Sequence, residues 1–216
     1  MAVIVQPRMP PVTARLLAVT LGLSLAAAVD WQLGGNLYYQ LALVPEAVWS
    51  GQVWRLATWP FVMGSPLTLI FSCVVLYVFG SDLIAVWGSR RYLRYLAAII
   101  ALTGVSICLL GPLVPGVSWL PQLGGMALAD AVTIAWARRF PDQPVHFYLL
   151  LVLRGRQLVN AVVATTVLFA VFFGIAWMLP ELLAVAAALL LTDRSFRRWW
   201  LTRKLERIRR HLRVIT

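Results

Sequence analysis

Two carboxylates, Asp82 and Asp130, are the residues of this 216-residue chain whose surroundings first suggest chemistry. Each lies inside a long apolar run, and ionisable side chains at membrane depth are rare and usually functional. Two carboxyl groups that share a proton can hydrolyse a peptide bond. However, Asp82 lies about six residues, or ~9 Å at helical rise, from the end of its run, whereas Asp130 lies near the middle of its own.

We therefore expect Asp82 and Asp130 to have separate structural partners rather than to form an aspartyl pair. The expected partner of Asp82 is a loop arginine. The expected partners of Asp130 are hydroxyl groups on neighbouring apolar runs, namely Thr103, Thr165 or Thr166.

Serine catalysis requires a histidine or a lysine within hydrogen-bond reach of the nucleophile. Both histidines, His146 and His211, fall outside the predicted membrane spans, and the only lysine, Lys204, lies near the C-terminus. A Ser–His or Ser–Lys dyad therefore cannot be assembled at membrane depth. Two histidines are also too few for a His-rich metal site, and Cys73 and Cys108 are expected to be buried thiols. We predict neither a metal nor a cofactor.

The composition defines the class of protein that must position these residues. Hydrophobic residues make up 61% of the chain and charged residues 12%, against roughly 45–50% and about 25% in soluble domains. The chain is therefore predicted to be an all-α, polytopic membrane protein. Apolar runs separated by charges, glycines and prolines predict six spans: residues 13–29, 66–86, 93–110, 122–137, 157–178 and 179–192.

Three details of the span pattern carry further expectations. Gly80 predicts a break in the second span. The fourth and sixth spans are shorter than the usual ~20 residues, which thins the bilayer or requires burial by neighbouring helices. Residues 145–153 are apolar but too short to cross, and we expect them at the cytosolic interface.

The distribution of basic residues predicts the topology. Every lysine and arginine except Arg55 falls on the same side of a six-span chain, and the positive-inside rule places that side, with both termini, in the cytoplasm. The net charge of +11 therefore indicates membrane orientation, and we expect no nucleic-acid partner. We expect an integral, multi-pass protein of the bacterial inner membrane rather than of the endoplasmic reticulum.

The loop between the first two spans, residues 30–64, is rich in aromatic residues, which favour the headgroup zone. We expect it to lie in the outer interface as short amphipathic helices. Its Trp54-Arg55 pair contains the one basic residue on that side. The Arg55 guanidinium is expected to donate to loop carbonyls or to stack on a tryptophan, which would fix the loop against the bundle. The competing interpretation is a client-binding residue.

The chain divides into a membrane core, residues 1–192, and a basic tail, residues 193–216. The tail has nine basic and two acidic residues, a net charge of +7, and a stripe of apolar residues typical of an amphipathic helix. We expect it to bind anionic lipid; a coiled coil with a partner and a solvated tail are the alternatives. The expected lipid-facing residues are Trp199, Trp200, Arg203, Lys204 and Arg207.

Several motifs resemble the rhomboid superfamily and, within it, the Derlin-like pseudoproteases. They are residues 9–13 before the first span, Trp54-Arg55 in the first outer loop, and the stretches from Phe79-Gly80 to Tyr92 and from Ala135 to Pro141. The resemblance covers residues 9–192 and implies a six-helix rhomboid-like bundle.

The departures from the rhomboid pattern point to a catalytically inactive protein. Where active rhomboids carry Gly-x-Ser, this chain has Gly124, Gly125, Met126 and Ala127, so that Met126 occupies the nucleophile position. The oxyanion-binding positions correspond to about Thr68 and Ser72. The histidine expected in the sixth span is missing from residues 178–181.

The resemblance implies a pseudoprotease that binds or guides membrane-protein clients, in membrane-protein quality control. Three alternatives remain: an intramembrane protease with noncanonical residues, a lipid-handling protein, and a structural subunit or homo-oligomer of a membrane complex that docks through its tail.

Overall fold

The computed structural model describes residues 10–124, 126–147 and 151–193. Within these ranges the chain forms nine α-helices, one 3₁₀ turn at Trp59–Phe61 and one two-stranded hairpin. The helices are α1 (Pro11–Gln32), α2 (Leu37–Leu41), α3 (Pro45–Trp49), α4 (Arg55–Thr58), α5 (Pro66–Trp87), α6 (Ser89–Leu110), α7 (Ala127–Arg139), α8 (Gly155–Phe173) and α9 (Ile175–Thr192). The strands are β1 (Pro144–Phe147) and β2 (Leu151–Arg154), which pair antiparallel.

Local sequence signals explain where the long helices begin and end. Proline occupies the first position of α1 and α5, where its fixed φ and missing N–H cost nothing. The Ser65 hydroxyl caps α5 by accepting a hydrogen bond from the Thr68 N–H at 3.2 Å. Gly88 and Gly174 have φ of 77° and 90°, and this left-handed backbone turns α5 into α6 and α8 into α9.

Five helices of the described part of the chain are long and apolar enough to cross a membrane: α1, α5, α6, α8 and α9. The predicted fourth span corresponds to α7, which has 13 residues and measures about 20 Å at the helical rise. Ten of its residues are buried because α5, α8 and α9 pack around it. The predicted count of six spans and the cytoplasmic termini stay predictions.

Two expectations about the spans were wrong. No break occurs at Gly80, since α5 is continuous and Gly80 instead faces the Tyr92 ring, whose hydroxyl would lie 2.7 Å from an added Cβ. The boundary between the last two helices is Gly174 rather than residue 178, because its positive φ ends α8 there. The described parts of the short apolar run at residues 145–153 belong to the β1–β2 hairpin, and the position of this run at the cytosolic interface stays a prediction.

The core lies between α7 and its neighbours. Phe79 stacks on Trp136 with ring centroids 4.6 Å apart, and the Tyr95 hydroxyl donates to the Ala131 carbonyl at 2.7 Å. Ala184 and Ala188 of α9 are fully buried, and small residues at this spacing let two helix backbones approach closely. The packing holds α7 in a fixed position relative to α6 and α9.

The loop after α1 folds as the predicted short helices and packs on the segment that precedes α7. Leu43 and Gln122 exchange backbone hydrogen bonds of 2.9 and 2.8 Å. The buried Gln122 side chain donates to the Ala176 carbonyl of α9 at 3.0 Å. The loop, the entry to α7 and the start of α9 therefore form one connected structure.

Candidate functional site

The two carboxylates singled out by the sequence lie apart. Asp82 belongs to α5 and contacts α7 near its C-terminus, whereas Asp130 lies near the N-terminus of α7. The expectation that they form no pair is confirmed. Asp82 accepts a hydrogen bond of 2.8 Å from the Trp136 indole near the C-terminus of α7. The predicted arginine partner was wrong, because Trp136 projects from the core toward the last turns of α5. Asp130 lies in the first turn of α7, where the helix dipole favours a negative charge.

Asp130 instead faces a third carboxylate, Glu181 of α9. The two groups interact electrostatically and line one cavity of about 320 Å³. The Glu181 carboxylate lies beside the backbone N–H of Met126. Its Oε2 atom is buried and has no hydrogen-bond partner among the described residues.

The expected hydroxyl partners of Asp130 were wrong. Thr165 and Thr166 line the cavity, but each donates its hydrogen to a carbonyl of its own helix, at 2.8 Å to Ala161 and 2.8 Å to Val162. Such back-bonding is common for threonine inside helices. Thr103 is buried elsewhere in the core and has no partner among the described residues.

A second cavity, of about 280 Å³, adjoins the first and shares Met126, Asp130 and Thr165 with it. It extends between α5, which contributes Phe71 and Val75, and α8. We refer to the two cavities together as the chamber. Its residues are Thr68, Phe71, Val75, Met126, Asp130, Thr133, Leu153, Leu158, Ala161, Val162, Thr165, Thr166, Phe169, Phe173, Met178 and Glu181.

The stretch that resembles the rhomboid nucleophile motif, residues 124–127, forms the entry to α7. Gly124 donates its N–H to the Trp59 carbonyl at 2.8 Å, and an added Cβ would lie 2.1 Å from the Pro60 Cα atom, so only glycine fits there. Met126 precedes α7 and lines both cavities, and Ala127 is buried. Gly125 lies outside the described residues. The position that resembles the rhomboid nucleophile therefore faces the chamber.

Arg55 is buried, with 7% of its surface exposed. Its Nε donates to the Gln52 side chain at 2.7 Å, and its Nη1 donates to the carbonyls of Ala42, at 2.7 Å, and Tyr39. Burial lowers the pKa of Arg55, although guanidinium remains charged in proteins. These are the carbonyl contacts that the sequence predicted, whereas Trp54 is half exposed.

Sequence reasoning missed Glu181 as a site residue. It was assigned to the outer end of a short last span, because the boundary was placed four residues too late. With α9 starting at Ile175, Glu181 lies almost two turns inside the helix. The available signal was a carboxylate within an apolar run, the same signal that identified Asp82 and Asp130. The predicted lipid-facing residues of the tail lie outside the described residues.

The long apolar helices and the buried α7 define a multi-pass integral membrane protein. A family model described as eukaryotic integral membrane protein (DUF1751) matches residues 13–203, and the chain belongs to this family. No curated protein matches the sequence. The eukaryotic description does not favour the bacterial inner membrane that we expected.

Proposed function

We propose that this protein is a rhomboid-like, Derlin-like pseudoprotease that binds or guides membrane-protein clients through the chamber. The observation that carries the proposal is Met126, which stands at the nucleophile position of the resemblance and lines both cavities beside Asp130. A thioether cannot serve as the serine of an acyl-transfer reaction. On this proposal the chamber corresponds to the active site of a rhomboid and serves binding rather than acyl transfer.

The walls of the chamber suit a transmembrane segment. Phe71 and Val75 of α5 and Ala161 and Val162 of α8 are apolar, and apolar side chains can replace lipid around a client helix. The threonines and carboxyls deeper in the chamber offer hydrogen bonds, which recognise polar groups at membrane depth. The short α7 supports a locally thinned bilayer, which would help a client segment to leave the lipid.

A photo-crosslinking experiment tests the proposal. A photoreactive amino acid replaces Phe71 in the chamber wall or, as the matched control, Leu102, which is 46% exposed on α6. The full-length variants are placed in lipid nanodiscs with a fluorescent single-span peptide. We expect crosslinks from position 71 that exceed those from position 102 several-fold. Equal crosslinking from both positions would contradict a client site in the chamber.

Acid hydrolysis is a second candidate, favoured by the Asp130–Glu181 pair. Two carboxyls that share a proton activate water in aspartic proteases, and both groups face one cavity here. Cleavage of a transmembrane peptide that is abolished by both Asp130→Asn and Glu181→Gln, but not by Asp82→Asn, would establish this function. Intact peptide after prolonged incubation would leave binding as the function.

A further inference from the structure

The chamber contains two acidic groups and no basic one. Among the described residues that line it, Asp130 and Glu181 are the only ionisable side chains. Negative charges buried in a region of low dielectric are costly unless a cation or proton balances them. The described part of the chain supplies no cation to the chamber.

Both carboxyls have hydrogen-bonding capacity to spare, although the Glu181 carboxylate also lies beside the backbone N–H of Met126. The Oε2 atom of Glu181 is buried without a partner, and Asp130 accepts no side-chain hydrogen bond from the described residues. The nearby Thr165 and Thr166 hydroxyls donate to their own helix. A buried acceptor left unpaired destabilises the folded protein, so a donor from outside the chain would be bound favourably here.

The chamber connects this pair with the gap between α5 and α8. Asp130, Met126 and Thr165 line both cavities, and the second cavity reaches Phe71 and Val75 of α5. A side chain that entered between the two helices would therefore meet both apolar walls and Asp130 in one cavity. A long aliphatic stem that ends in a cation fits this combination of surfaces, because such stems pack on apolar groups while the charged end reaches a polar one.

We propose that Asp130 and Glu181 select client transmembrane segments that carry a lysine or arginine in their apolar stretch. This inference rests on the proposed client-binding function and names the class of client. A basic residue at the centre of a membrane helix is costly, because its charge is removed from water. Moving its cation between two carboxylates offsets that cost through charge-assisted hydrogen bonds, which are stronger than those of a neutral donor, whereas an apolar segment gains nothing from the pair.

Four fluorescent single-span peptides test the inference with the full-length protein in nanodiscs. They share one leucine- and alanine-rich sequence and differ at the central residue, which is lysine, norleucine, glutamine or glutamate. Norleucine keeps the apolar stem of lysine without its charge. We expect the lysine peptide to bind at least tenfold more tightly than the norleucine peptide, and the glutamate peptide to bind most weakly.

Variants test whether the two carboxyls cause the preference for the lysine peptide. Asp130→Asn with Glu181→Gln should reduce the lysine-to-norleucine affinity ratio to about one. Asp82→Asn is the matched control, since Asp82 lies at membrane depth outside the chamber and pairs with Trp136; it should preserve the ratio. A preference that survives the double substitution would overturn the inference.

The peptide series also separates this inference from the proposed function. Equal binding of the lysine, glutamine and norleucine peptides, with crosslinks from position 71, would overturn the charge selection and leave client binding intact. A glutamine peptide that binds as tightly as the lysine peptide would overturn it as well, because hydrogen bonding without charge would then suffice. Absence of binding by every peptide would contradict both.

Discussion

The Arg55 guanidinium donates a hydrogen bond of 2.7 Å to the carbonyl of Ala42. The next residue, Leu43, exchanges backbone hydrogen bonds with Gln122, and Gln122 contacts α9 through Ala176. The buried Arg55 cation thus holds the loop after α1 together, and the Leu43–Gln122 hydrogen bonds connect this loop to the segment that enters α7. This chain of contacts supports a structural role for the Trp-Arg motif.

Replacing Arg55 by alanine should lower the melting temperature in detergent. The Tyr39 and Ala42 carbonyls and the Gln52 side chain would lose their donor, at a cost of about 2–3 kcal/mol for hydrogen bonds to a charged group. Arg55→Lys should recover only part of this stability, because an ammonium lacks the planar fork. Arg156→Ala is the control, since Arg156 is 75% exposed in its ion pair with Asp142. Wild-type melting of Arg55→Ala combined with lost client crosslinking would instead favour the client-binding interpretation.

Replacing Gly80 by alanine should destabilise the bundle by about 1–3 kcal/mol, as overpacking does in other cores. The added Cβ would lie 2.7 Å from the hydroxyl of Tyr92, which has no hydrogen-bond partner among the described residues. Tyr92→Phe should therefore restore much of the stability in the double variant. Gly22→Ala, which meets no atom within 4 Å, serves as control. Additive effects in the double-mutant cycle would show that the two residues do not contact.

Cysteine labelling checks the predicted topology. In a variant without Cys73 and Cys108, cysteines at positions 50 and 118 should react with a membrane-impermeant maleimide from outside. Cysteines at positions 89 and 195 should react only after permeabilisation. The expectation follows from the positive-inside rule and requires α7 to count as a crossing. Reaction of position 195 from outside would mean that α7 does not cross.

The tail should bind anionic membranes. A peptide of residues 193–216, with a net charge of +7, should bind vesicles that contain phosphatidylserine, since each basic residue near the surface contributes about 1 kcal/mol. Binding should weaken as salt is added. A matched peptide with Arg203, Lys204 and Arg207 replaced by glutamine should bind less. Equal binding to neutral vesicles would contradict the electrostatic part.

The purified protein should not react with a fluorophosphonate, because Met126 replaces the expected serine and the predicted spans contain no histidine. Labelling is measured by mass spectrometry, with an active serine hydrolase as the positive control. A labelled serine whose substitution abolished peptide cleavage would reinstate serine catalysis.

The sequence predicted the parts of the fold that depend on local composition. The apolar runs predicted the positions of the long helices, and the aromatic loop was correctly predicted to form short helices. The sequence did not predict the role of Gly80, because a glycine that breaks a helix and one that admits Tyr92 have the same local signal. The partner of Asp82 was missed for a similar reason: Trp136 is 54 residues away along the chain.

Asp130 was found because a carboxylate in an apolar run is conspicuous, but its pairing with Glu181 depends on the crossing of α7 and α9. Helix crossings are set by packing of small residues such as Ala184 and Ala188, which composition does not specify uniquely. The boundary at Gly174 could be located only from its backbone conformation. Glycine is common within membrane helices, so its presence in the sequence does not by itself mark the end of one.

The length of α7 has a consequence for biosynthesis. A segment of 13 residues that includes Asp130 and ends with two arginines is too short and too polar to partition into lipid by itself. Its stable position depends on α8 and α9, which are synthesised after it, and α9 supplies the carboxylate that faces Asp130. We therefore expect α7 to reach its final position only after α8 and α9 have been synthesised.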